Sequence, residues 1–173
     1  IKKTEVIMED SEYQGVRLSL DAYLDKTRIP LKIDISTGDV ITPCEISFSY
    51  QLMFENRTIP LLAYPPETVL AEKLETILSR GEANTRLRDF YDVYILQRED
   101  FVVTPDALCH ALLATCRKRG HEDLLHTYAS ILNEVRQSGA MRAQWMKYQT
   151  DFDYAAGITW DTVLDTVETL CMK

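Results

Sequence analysis

Asp89 and Asp92 stand three residues apart in RLRDFYDVYIL, behind Arg86 and Arg88, and the segment upstream carries Lys73 and Arg80. Carboxylates at this spacing share one side of a helix, where they can hold a cation or accept a proton. Lysine offers phosphate a compact charge and arginine a planar fork, so the set has the residue types of a phosphate site. The same residues also suit a solvated face. Arg88 lies four before Asp92, an i,i+4 pair worth about 0.3–0.5 kcal/mol.

The elements that must position these groups follow from periodicity. Residues 64–96 read as two helices joined by a short loop carrying Gly81 and Asn84. Pro65 and Pro66 suit an opening turn, where an amide would lack a partner anyway, and Gly81 suits a helix end. Leu70, Leu74, Ile77 and Leu78 share a face, with Lys73 and Arg80 on its border, so two long cations can reach past the core edge toward one anion. The second helix, 84–97, is expected to bury Leu87, Phe90, Tyr91, Tyr94 and Ile95 and to keep Asp89 and Asp92 on the opposite side.

A third acid lies upstream. Residues 28–36, RIPLKIDIS, alternate like a half-buried strand, with Leu31, Ile33 and Ile35 on one face and Lys32 and Asp34 on the other. Residues 16–24 supply a natural antiparallel neighbour. Asp is a poor strand former, so Asp34 needs a reason to be there. Metal ligation from a sheet rim is one reason, and pairing with a cross-strand cation is the other.

The succession LKIDISTGDVITP, IPLLAYPPETVLAEKLETILSR and NTRLRDFYDVYIL resembles the nucleotidyltransferase toxins of the AbiEii/AbiGii kind, effector halves of type IV toxin-antitoxin and phage-abortive systems. The resemblance spans residues 29–96. It implies a nucleotidyltransferase-like mixed sheet, Mg²⁺-dependent transfer of a nucleotide from a nucleoside triphosphate to an RNA or protein acceptor, a tRNA end in some members, and a cognate antitoxin; a cytoplasmic location is expected instead from the lack of a basic-apolar leader at the start. By the same resemblance Asp34 is a catalytic and metal-binding carboxylate, and Lys73, with Arg80 and Arg86, is nucleotide-binding. Asp89 and Asp92 are the acids of the DxxD motif, which hold a basic residue or accept a proton.

The family also uses a Gly-Ser or Gly-Gly element followed by a DxD pair on an earlier strand, and nothing ahead of Asp34 supplies it. Glu9 and Asp10 have neither a glycine turn nor a strand pattern before them. The chain opens on Ile1, and the expectation is a C-terminal portion of a longer protein that lacks two metal ligands and is itself inactive. The alternative is a catalytically silent module that binds an antitoxin or RNA.

Composition bounds these readings. The chain has 173 residues, 46% of them hydrophobic, which is ample for a core. No apolar run is long enough for a membrane span. The formal charge of -8 argues against broad, salt-sensitive adhesion to nucleic acid. An RNA partner would need a local track, either Arg80, Arg86, Arg88 and Arg98 or the triplet Arg117, Lys118 and Arg119, which also suits the end of a helix dipole. Cys44, Cys109, Cys116 and Cys171 form no CxxC pair, Cys109 and Cys116 reading as small buried hydrophobes, and His110, His121 and His126 lack ligand spacing.

The fold class is α+β, a partial nucleotidyltransferase-like mixed sheet at 1–64 followed by a helical domain at 65–173. Strands are expected near Val6 and over 16–24, 28–36 and 57–63, with a loop at 38–43. Thr104-Pro105-Asp106 opens a helix that runs to Arg119. Further helical segments cover 122–137, the stretch 140–147 with Met141 and Trp145, and the chain from Thr159 onward.

Overall fold

The computed structural model describes residues 1–7, 15–98 and 103–172, so Glu9 and Asp10 lie outside the described residues. The fold is α+β. Contacts divide the chain into two compact units, Ile1–Asp39 and Val40–Lys173, so the boundary falls ahead of the change from strands to helices near Tyr64.

The first unit is a three-stranded sheet of β1 (Lys3–Ile7), β2 (Gly15–Leu24) and β3 (Thr27–Ile35), in the order β1-β2-β3 with antiparallel pairs throughout. The β2–β3 turn is Asp25-Lys26, with Asp25 at φ 51°, a left-handed conformation that Asp adopts more readily than most residues. Pro30 has no amide to donate, and it stands on β3, an edge strand. The half-buried face expected for β3 is not formed. Ile29, Leu31, Ile33 and Ile35 are 42–47% exposed, because this unit has no helix among its described elements to cover the sheet.

The second unit opens with a hairpin of β4 (Ile46–Gln51) and β5 (Thr58–Ala63), also antiparallel. Among the described residues, then, every strand pair is antiparallel. β4 was not among the expected strands, although Ile46, Phe48 and Tyr50 alternate with Ser47 and Ser49 as strand residues do. Six helices follow, α1 (Pro66–Arg80), α2 (Leu87–Arg98), α3 (Pro105–Arg119), α4 (Leu124–Gln137), α5 (Gly139–Asp151) and α6 (Trp160–Cys171). Thr68 ties the segment before β4 to α1: its Oγ1 donates to Thr42 O at 3.0 Å and accepts from Thr42 N at 2.9 Å. That tie helps explain why residues 40–63 belong with the helices.

Helix ends obey local chemistry. Pro66 opens α1, Thr104 Oγ1 accepts from Ala107 N, Thr159 Oγ1 accepts from Thr162 N, and Gly120 closes α3 at φ 69°. Two elements depart most from the expected bounds, α5 running on to Asp151 and α2 starting late. Gly81–Ala83 form a single 3-10 turn, and Asn84 Oδ1 takes the Arg86 amide at 2.7 Å, so the helix starts at Leu87 rather than at 84.

The core gathers Leu70, Leu74, Ile77 and Leu78 of α1 with Phe90 and Val93 of α2, Leu112 and Cys116 of α3, Trp145 of α5 and Val163, Leu164 and Val167 of α6. Each large apolar side chain buried this way contributes about 1.5–3 kcal/mol. On α2 the buried set is Leu87, Asp89, Phe90 and Val93, while Tyr91 and Tyr94 are only partly covered and Ile95 is outside the core. No described helix is long and apolar enough to cross a membrane.

Candidate functional site: an acid-lysine floor beneath an aromatic shelf

The buried stripe of α1 fixes where Lys73 points. Leu70, Leu74 and Ile77 face inward, and Lys73, one position off that stripe, projects along the border toward α2. There its Nζ lies 2.6 Å from Asp92 Oδ2 and 3.2 Å from Asp89 Oδ1. Asp89 is in the first turn of α2, where the helix dipole favours an anion.

Asp89 departs from the sequence reading. It was expected beside Asp92 on a polar face, yet its side chain is only 4% exposed against 23% for Asp92. The burial is tolerable because Lys73 and Arg86 both reach it. Arg86 Nη2 donates to Oδ1 at 3.3 Å, and Arg86 Nε lies 2.8 Å from Oδ2. The second approach is close but off the N–H axis, so among the described residues Oδ2 accepts no aligned hydrogen bond. Arg88 Nε stands 3.8 Å from Asp92 Oδ2, the i,i+4 pair anticipated from spacing.

These groups line a cleft of about 680 Å³ within the second unit. Asp89, Lys73 and Asp92 form its floor, and Arg86 and Arg88, with side chains 56% and 78% exposed, reach from it toward solvent. The facing wall comes from α5 and the residue after it, with Lys147, Tyr148, Asp151 and Phe152. The lining carries four cations (Lys73, Arg86, Arg88, Lys147) against three anions (Asp89, Asp92, Asp151), in a chain whose net charge is -8. The cleft is thus a local exception to an acidic molecule, suited to an anion.

The facing wall was missed as part of a site. Trp145 and Tyr148 lie on the helical stretch read without a functional role, Phe152 falls beyond that stretch, and Lys147 carries no motif. Only the packing of α5 near α2 puts them opposite Lys73. Tyr148 lies between the buried Trp145 and the surface, with ring centroids 5.4 Å from Trp145 and 4.7 Å from Phe152. Its hydroxyl is 3.0 Å from that of Tyr154. Burial, then this hydrogen bond, pushes the Tyr148 hydroxyl well above the usual phenol range, so it stays protonated at neutral pH.

Arg80 does not join the group. It is exposed, absent from the cleft lining, and seven residues beyond Lys73, about 10 Å further along the helix axis. Nor is the triplet 117–119 an open cationic track. Arg119 turns inward to Glu72 and to Glu75, the latter 1% exposed, and Glu75 also takes His121 Nδ1 at 2.6 Å. Arg117 pairs with Glu122 at 2.9 Å.

Asp34 belongs to the first unit. It stands directly across from Arg17 in the β2–β3 register and is gripped bidentately, Nε to Oδ1 at 2.6 Å and Nη2 to Oδ2 at 2.7 Å. The hydrogen bonds from Arg17, reinforced by its charge, hold the Asp34 carboxyl below the usual carboxylate range. Mg²⁺ requires several oxygen ligands in near-octahedral geometry. Among the described residues no three Asp, Glu, His or Cys side chains converge, and both oxygens of Asp34 are already engaged. The residues described here do not by themselves make a magnesium site.

A family model described as nucleotidyl transferase AbiEii toxin, type IV TA system, matches residues 1–166. No curated protein and no solved structure matches the chain.

Proposed function

The chain belongs to the AbiEii family of nucleotidyl transferase toxins of type IV toxin-antitoxin systems, and from that premise we propose that its second unit binds the triphosphate of a nucleotide donor for transfer to an RNA acceptor, a tRNA end in particular. The observation that carries this reading is the doubly anchored lysine: Lys73 held between Asp89 and Asp92 at the floor of a net-cationic cleft.

Two anchors fix one ammonium group in place before any ligand arrives, so little side-chain entropy is lost on binding phosphate. Arg86 and Arg88 reach outward and add planar forks for phosphate oxygens. In the transfer step an acceptor hydroxyl oxygen forms a bond to the α-phosphorus. The α–β phosphoanhydride breaks and pyrophosphate leaves. The proton released by the hydroxyl goes to Asp92, the more exposed acid, while buried Asp89 positions Lys73. Mg²⁺ supplies charge neutralisation to such reactions when bound. A cognate antitoxin is the proposed partner.

The test is incorporation of α-³²P-labelled nucleotides into RNA by the protein carrying Lys73→Ala or Asp92→Ala. Each is expected to lose about a hundredfold or more in rate with circular dichroism unchanged. Wild-type incorporation by folded Lys73→Ala would remove the basis of the proposal. A protein that folds, binds an antitoxin and incorporates nothing in any form would support the silent interaction module instead.

A further inference from the structure

The aromatic part of one cleft wall has no role in phosphate contact. Tyr148 and Phe152 line it beside Lys147, and Tyr154 extends the same aromatic surface. Phe152 and Tyr154 are 41% and 52% exposed, with rings 5.4 Å apart and inclined by 29°. Large aromatics left open at a cleft mouth are unusual where a core is available to receive them. These are backed by a continuous stack, since Tyr148 rests on Trp145 and Tyr91 packs against Tyr154 at 4.7 Å. The open rings are therefore braced by the partly buried Tyr148 and Tyr91, with Trp145 behind them, and of these faces Phe152 and Tyr154 are the nearest to parallel.

A fixed aromatic face next to clustered cations is the combination that recognises a nucleotide: phosphates take the charges and the base takes the ring. We infer that Phe152, supported by Tyr148 and Tyr154, is a stacking shelf for a nucleobase whose phosphates lie on Lys73, Arg86 and Arg88. The inference rests on the proposed nucleotide-binding reading and adds to it a specificity-determining surface. A cleft of about 680 Å³ lined by both Lys73 and Phe152 falls in the range of small-ligand sites and has the volume for one nucleotide. Stacking tolerates every base, so the shelf favours bases in general rather than one base. The nucleotide is either the free donor or the terminal residue of the RNA acceptor, and the two share this chemistry.

Calorimetric titration of the chain separates the terms. The probes are ATP, CTP, GTP and UTP, inorganic triphosphate, and a ten-nucleotide single-stranded RNA. Phe152→Ala is expected to weaken nucleoside triphosphate binding about tenfold or more while leaving inorganic triphosphate unchanged, and Phe152→Trp to preserve both. Such a loss confined to the RNA assigns the shelf to the acceptor end; a loss confined to the triphosphates assigns it to the donor. Phe152→Ala binding all probes like the wild type, with its melting temperature also unchanged, overturns the shelf. Failure of the wild type to bind even inorganic triphosphate would bring down the underlying phosphate site, a separate result from failure of the shelf.

Discussion

Lys73 Nζ and Asp92 Oδ2 stand 2.6 Å apart across the α1–α2 contact, and the same ammonium also serves Asp89, so one cation answers an exposed acid and a buried one. The two acids are therefore unequal. Asp92 can be rehydrated if its partner is lost, whereas Asp89 can turn only to Arg86.

That inequality predicts the stability of charge-removing variants. Lys73→Met leaves Asp89 buried and under-compensated and is expected to cost about 2–4 kcal/mol, whereas Asp92→Asn costs about 1 kcal/mol or less. Adding Asp89→Asn to Lys73→Met is expected to return part of the loss. Urea denaturation of the three variants measures it, and equal costs for Lys73→Met and Asp92→Asn would show that burial of Asp89 is unimportant.

Asp34 gives a pH dependence with a definite sign. Its carboxyl is held below its ordinary value of 3.8, first by hydrogen bonds from Arg17 and then by the charges of Arg17 and Lys32. A carboxyl depressed in the folded state stabilises that state above the ordinary value, and the contribution disappears as pH falls through the depressed one. An NMR titration of the side-chain carboxyl is expected to give a midpoint below 3.8. In Arg17→Gln the midpoint should move back upward, and no movement would mean the pair is not formed in solution.

Thiol reactivity should divide the four cysteines evenly. Cys44 and Cys109 are exposed, contrary to the expectation of a buried Cys109, because the helix turns that position outward. Burial raises Cys116 to about 11 and Cys171 to about 12, which keeps both as unreactive thiols. Ellman's reagent at pH 8 is expected to react rapidly with two groups and with the other two only on denaturation. Mass spectrometry identifying Cys116 among the fast pair would contradict the packing of α1 against α3.

The two arginines of the 117–119 triplet should behave differently. Arg119→Ala strands Glu75, leaving it His121 alone, and is expected to cost about 3 kcal/mol. Arg117→Ala removes an exposed pair and should stay within about 0.5 kcal/mol. Thermal melts of the two variants distinguish them, and similar melting temperatures would count against an inward Arg119.

What the sequence determined by itself was local. Pro66, Thr104, Thr159 and Gly120 mark helix ends because capping depends on residues within one turn, and the apolar stripe of α1 follows from its own spacing. Alternation gave β2 and β3, and cross-strand pairing was already one of the two reasons open for Asp34. The order of Lys73, Arg86, Asp89 and Asp92 was readable too, since motif residues keep their spacing on paired helices. Tertiary structure decided the rest. The burial of Asp89 depends on how α2 is rotated against α1, and the inward turn of Arg119 depends on Glu75, 44 positions away. The joining of Phe152 to the cleft of Lys73 depends on helices distant in sequence. Periodicity says which side of a helix is apolar, but the partner opposite that helix is set by packing among elements far apart in the chain, and the cleft is made of partners.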